Sequence, residues 1–208
     1  MMRRKKTGKT KPLRAQRDFR ADFKKSGAFL EGHFVLSSGL HSSAYVQCAK
    51  ALESPRLAGK LCRALAKKWR AGGGGKIDCV VGPALGGIVV AYELARALGC
   101  RALFMERVEG KLTLRRGFAL EAGERVLVSE DVVTTGGSAQ ETIMEAERLG
   151  ARVVGVAALV DRGGGRSFGK PFVSLLNLQP PIYDPAECPL CKRGIPAEKP
   201  GSRTPAGK

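Results

Sequence analysis

The chemistry this chain can do is concentrated between Arg125 and Ser138. The segment reads Arg125-Val126-Leu127-Val128-Ser129-Glu130-Asp131-Val132-Val133-Thr134-Thr135-Gly136-Gly137-Ser138. An apolar, strand-like run leads into two adjacent carboxylates, Glu130 and Asp131. A loop of hydroxyl and glycine residues follows, and a helical pattern begins at Ser138. In an open parallel sheet, ligands sit beyond the carboxyl ends of the strands. Glycines let backbone N–H groups converge on a phosphate, and a helix N-terminus adds unpaired donors and partial positive charge. The hydroxyls of Thr134, Thr135 and Ser138 can donate to the remaining oxygens. Neighbouring carboxylates are costly to keep without partners. Sugar hydroxyls and magnesium, which prefers oxygen ligands and bridges substrate phosphates, would satisfy them. No lysine follows the glycines, so this is not the usual ATP-binding loop. The carboxylates precede the loop instead of lying about twenty residues beyond it, which excludes the dinucleotide fingerprint.

The surrounding elements must place this segment at the end of a sheet. Ser54-Pro55 starts a helix, with serine as N-cap and proline at the first helical position. Leu57, Leu61, Leu65 and Trp69 then recur every four residues as one apolar stripe. Strands are expected at Ile77–Val81, Ala102–Met105, Val126–Val133 and Val153–Val160. Helices are expected at Gly86–Leu98 and Ser138–Leu149. This alternation implies right-handed crossovers and a mainly parallel central sheet covered by helices on both faces. Upstream, a helix is expected over Asp18–Leu30, followed by short strand-like runs at Phe34–Leu36 and Tyr45–Val46. Between Glu106 and Glu124 the pattern becomes charged and suits a hairpin or mobile loop. The expected organisation is a basic tail over residues 1–17, one α/β domain with a small N-terminal hood over 18–180, and an irregular extension over 181–208.

The 208 residues suffice for one compact domain. No apolar run reaches eighteen residues and no apolar stretch follows the basic N-terminus, so neither a membrane span nor an export signal is expected. The formal charge is +17. Nine basic residues against Asp18 give the first twenty positions +8, and the remaining +9 suits an anionic ligand. The tail has the charge to touch nucleic acid, but lacking apolar residues it reads more simply as a solvated extension. Six cysteines without an export signal point to a reducing cytoplasm. Cys188-Pro-Leu-Cys191 has the spacing of half a zinc site. No second cysteine pair follows, and His33 and His41 are remote in sequence, so no metal held by the protein's own side chains is expected.

The Glu130–Ser138 segment resembles the phosphoribosyl-diphosphate motif of the type I phosphoribosyltransferases, and the likeness extends over the core from about Ile77 to Arg162. It implies that Glu130 and Asp131 bind ribose hydroxyls, that the run Val132, Val133, Thr134, Thr135, Gly136, Gly137 and Ser138 holds the 5′-phosphate side, and that magnesium is held mainly through the substrate. Three further segments resemble the orotate phosphoribosyltransferases. These are the hood Gly32-His33-Phe34-Val35-Leu36-Ser37-Ser38-Gly39-Leu40-His41-Ser42, the diphosphate loop Gly82-Pro83-Ala84-Leu85-Gly86-Gly87, and the C-terminal stretch Tyr183–Pro196. The resemblance implies orotate contacts from Thr134, Arg162, Tyr45 and Val46, and diphosphate contacts from Leu85 and Gly86. Arg107 to Arg116 would be the mobile catalytic loop, with Arg107 and Lys111 binding the diphosphate, and Lys111 and Asp131 the catalytic pair. A homodimer is also implied. Several cations of the family pattern are missing: Ser37, Leu85-Gly86, Val108 and Thr113 stand in their places, and Arg115 or Arg116 would have to substitute. A purine or xanthine phosphoribosyltransferase, and a phosphoribosyl-diphosphate-sensing regulator that binds nucleic acid, are the alternatives. Against the regulator, no DNA-reading helix pair is evident before residue 54.

Overall fold

The computed structural model describes residues 19–36, 38–165 and 167–200. The expected basic tail, Ser37 and the last eight residues lie outside that range. Serine 54 does cap its helix, its Oγ accepting from the Leu57 N–H at 3.4 Å. The helix α3 (Pro55–Ala71) buries Leu61, Cys62, Leu65 and Trp69 as one stripe. Before it come α1 (Arg20–Lys25), β1 (Phe29–Val35), β2 (His41–Val46) and α2 (Cys48–Leu52). The helix expected to reach Leu30 stops five residues earlier, at a turn through Gly27 with φ +73°, and Leu30 belongs to a strand.

The core follows as β3 (Cys79–Pro83), α4 (Gly86–Leu98), β4 (Arg101–Val108), β5 (Lys111–Leu114), β6 (Arg125–Val133), α5 (Gly137–Arg148), β7 (Arg152–Asp161) and β8 (Phe172–Asn177). Gly99 ends α4 in the left-handed conformation, the usual glycine stop. The six strands lie in the order β5-β4-β3-β6-β7-β8, all parallel to their neighbours except β5. Successive side chains face opposite layers. Val80 and Leu127 pack under α3 and α4, while Val81, Val126 and Val128 pack under α5. Burial on both faces is why these strands read as continuous apolar runs. No helix among the described residues is long and apolar enough to cross a membrane.

The segment from 181, expected to be irregular, carries a short strand β9 (Ile182–Tyr183) and a helical turn α6 (Pro189–Lys192). Strand β9 pairs with β2, completing a hood sheet of order β1-β2-β9. Farther on, the Val35 N–H donates to the Glu198 carbonyl at 2.7 Å, and the Glu198 N–H to the His33 carbonyl at 2.8 Å. This return of the chain corrects the view of Cys188 and Cys191 as a pair without further ligands. His33, His41, Cys188 and Cys191 converge, with their ligand atoms within 4.8 Å of one another.

Candidate active site

The chain direction across the sheet reverses at β3. From β3 the chain passes through α4 to β4 on one flank, then returns in β6 on the other. Such a switch point opens a crevice at the carboxyl ends of the two strands. Both glycine-rich loops leave from there, Ala84-Leu85 after β3 and Thr134–Gly136 after β6. The peptide between Ala84 and Leu85 is cis. A methyl group on Gly86 would lie 2.5 Å from a carboxylate oxygen of Asp131, so any side chain there would displace this carboxylate. The expected diphosphate and ribose segments are therefore brought together.

Glu130 is 8% exposed. Burial, reinforced by the charge of Asp131, pushes its pKa up to about 8. The Asp131 Oδ1 accepts from the Val132 N–H at 2.8 Å. Behind the pair, the Cys48 thiol donates to the Asp131 carbonyl at 3.5 Å, and burial followed by the charges of Asp131 and Glu130 raises its pKa well above the ordinary value. That thiol therefore stays protonated and adds no third negative charge. Beyond the acids, Gly136 caps α5 at φ +78° with no side-chain cap, leaving the first N–H groups of the helix available to an anion. Thr134 and Thr135 are exposed beside it, with Ser138 half-buried.

Arg162 stands at the end of β7, its N–H donating to the Val133 carbonyl at 2.8 Å, so it borders the loop expected to hold the phosphate. Its Nε is buried and has no hydrogen-bond partner among the described residues. Burial lowers its pKa, opposed by the electrostatic influence of Tyr45, which places the hood strand β2 near this guanidinium. Asp161, 2% exposed, accepts from the Gly163 and Gly165 N–H groups at 2.8 and 3.0 Å and so shapes the turn that presents Arg162. Sequence reasoning gave Asp161 no task of its own; the three glycines after Arg162 were the available signal. Tyr45 lies tilted against Phe34, ring centroids 5.9 Å apart, whereas Val46 points the opposite way, 6% exposed in the core beside Phe23 and Ala28. The two neighbours expected against one ring thus face different layers, leaving Val46 only its backbone to offer there.

The charged segment after β4 is a hairpin that turns at Glu109-Gly110, both at positive φ. Arg107 donates to the Glu141 carboxylate on α5 at 2.9 and 3.1 Å, and to the Gly110 carbonyl at 2.5 Å. Arg116 donates to Glu106 at 2.7 and 2.8 Å and lies over the Phe104 ring. Lys111 is exposed at the start of β5. In this conformation Arg107 is held on α5 instead of on the acidic pair.

A family model for the phosphoribosyl transferase domain matches residues 49–186. The orotate phosphoribosyltransferase of Thermotoga maritima is 54% identical over 183 residues, spanning 86% of this chain and 95% of that protein. The orotate phosphoribosyltransferase of Heliobacterium modesticaldum is 56% identical over 183 residues, with 88% and 95% covered. The crystal structure of the orotate phosphoribosyltransferase from Aeropyrum pernix matches with a TM-score of 0.62 at 30% identity, covering 77% of this chain and 94% of that one. With the crevice carrying the acidic pair, the uncapped helix and the half-buried arginine, the chain belongs to the phosphoribosyltransferase family, in its orotate phosphoribosyltransferase branch.

Proposed function

We propose that the crevice between β3 and β6 carries out phosphoribosyl transfer to orotate, with roles divided as follows. The transferase joins a ring nitrogen of orotate to the anomeric carbon of 5-phosphoribosyl 1-diphosphate. The bond from that carbon to the diphosphate breaks, and orotidine 5′-phosphate and pyrophosphate result. Thr134, Thr135, Gly136, Gly137 and Ser138 take the 5′-phosphate at the start of α5. Glu130 and Asp131 accept from the ribose hydroxyls, and their negative field favours positive charge developing on the sugar. Leu85 and Gly86 offer backbone N–H groups to the diphosphate. Two adjacent hard carboxylates, of which Glu130 is raised to about 8 first by burial and then by the charge of Asp131, suit a divalent cation with oxygen ligands. Magnesium, when bound, neutralises diphosphate charge, and Glu130 and Asp131 are the residues nearest to hold it, mainly through the substrate.

Lys111 and Arg107 reach the departing diphosphate when the hairpin closes. Loop closure that excludes water strengthens such a contact. The Arg107–Glu141 pair is exposed on both sides, and exposed pairs contribute about 0–1 kcal/mol, so leaving α5 costs little. The assembly is a homodimer in the cytoplasm. Leu85 at the N-cap of α4 and Val89 and Tyr92 on the helix form an exposed apolar stripe that suits self-association, and six cysteines outside any disulfide suit a reducing compartment.

One observation carries the choice of orotate over a purine: the buried Nε of Arg162, beside Tyr45 and the phosphate loop, has no hydrogen-bond partner among the described residues. A guanidinium grips a carboxylate with two parallel hydrogen bonds. Orotate has a carboxylate; adenine, hypoxanthine and xanthine have none. Assaying the four bases side by side with phosphoribosyl diphosphate and magnesium tests this. Turnover of orotate alone is expected, and turnover of a purine without orotate would overturn it.

A further inference from the structure

We propose that His33, His41, Cys188 and Cys191 form a structural zinc site that fastens the C-terminal segment to the hood. The four come from three separate pieces of chain: His33 on β1, His41 on β2, and both cysteines on the turn at α6. The Cys188 sulfur lies 3.5 Å from His33 Nε2. The Cys191 sulfur lies 3.7 Å from the same nitrogen and 3.3 Å from His41 Nδ1. Tetrahedral zinc with its usual bond lengths separates a sulfur from a nitrogen ligand by about 3.5 Å. All three contacts fall near that edge length. The two nitrogens, 2.8 Å apart, must open by about half an ångström to reach theirs.

The outer partner of His33 agrees with this assignment. His33 Nδ1 is 2.7 Å from the Ile195 carbonyl oxygen, which can only accept, so Nδ1 carries the proton and Nε2 presents its lone pair to the cluster. Zinc-bound histidines are oriented in this way by a carbonyl or carboxylate on the far nitrogen. His33, His41 and Cys188 are buried, while Cys191 is exposed and gives an ion a route in. Two imidazoles and two sulfurs with no oxygen ligand select zinc over magnesium or calcium. The ligand set is full, so the ion is structural, with no open position for a substrate. It would also hold in register the strand that carries Tyr45, whose neighbour is Arg162.

The test uses the full chain produced in zinc-supplemented medium and dialysed against metal-free buffer. Elemental analysis should find about one zinc per chain, falling at least tenfold in the Cys188→Ser/Cys191→Ser double variant. Should that variant fail to fold, cobalt exchanged into the wild-type chain serves instead, giving the visible bands of tetrahedral cobalt and a thiolate charge-transfer band. Three results would overturn the site: a folded wild-type chain that takes up neither zinc nor cobalt, iron in place of zinc, or full zinc content retained in the double variant.

Discussion

Glu130 and Asp131 show how one short run of sequence divides its labour. Both are acidic and adjacent, but Glu130 is buried, and burial, reinforced by the charge of Asp131, drives its pKa to about 8. A carboxyl whose pKa is raised by folding binds its proton more tightly in the folded state, so stability falls as pH rises from about 4.5 to about 8. Glu130→Gln should flatten that slope and raise the stability of the ligand-free chain at pH 8 by roughly 1–3 kcal/mol, measured by denaturant titration at several pH values. Binding of phosphoribosyl diphosphate with magnesium should expel the same proton. Calorimetry at pH 7 in buffers of different ionisation enthalpy should show release approaching one proton, abolished in Glu130→Gln. Asp131→Asn removes hydrogen bonds to a charged acceptor, each about 1.5–3 kcal/mol, so kcat/KM should fall about 10- to 100-fold. Arg162→Lys keeps the charge but loses the fork. Its KM for orotate should rise at least tenfold with little change in that for phosphoribosyl diphosphate, as steady-state kinetics would show.

At the scale of elements, what the sequence made legible follows from burial. Helix α4 begins at Gly86 and ends at Leu98 before Gly99, as the pattern indicates, because glycine marks both its close approach to Asp131 and its left-handed stop. The continuous apolar runs of β6 and β7 were readable because both faces are covered. Edge strand β8 went unnoticed, since Phe172, Val173, Ser174 and Leu175 are only half-buried and leave a mixed pattern. The hood histidines were readable as residues but not as a cluster. His33 and Cys188 are 155 positions apart, and only the pairing of β9 with β2 and the return of Glu198 along β1 join them. The hairpin's charge was visible, whereas the capture of Arg107 by Glu141 depends on tertiary placement. Lys111→Ala should lower kcat by about 100-fold or more with the melting temperature unchanged, because its side chain is exposed and its proposed role is confined to the departing diphosphate.

For the whole molecule, the exposed Val89 and Tyr92 on α4 continue from Leu85 in the proposed diphosphate loop, so subunit contact and catalysis would share this part of the chain. Tyr92→Glu places a charge in that contact and should shift the chain toward monomer in light scattering, with loss of turnover that follows the monomer fraction. The most direct measurement is a crystal structure of the chain with phosphoribosyl diphosphate, magnesium and orotate. The 5′-phosphate should sit on the N–H groups at the start of α5, the ribose hydroxyls on Glu130 and Asp131, and the orotate carboxylate on both arms of Arg162. A phosphate bound away from Thr134–Ser138, or an orotate carboxylate that leaves the Arg162 Nε unpaired, would contradict the assignment.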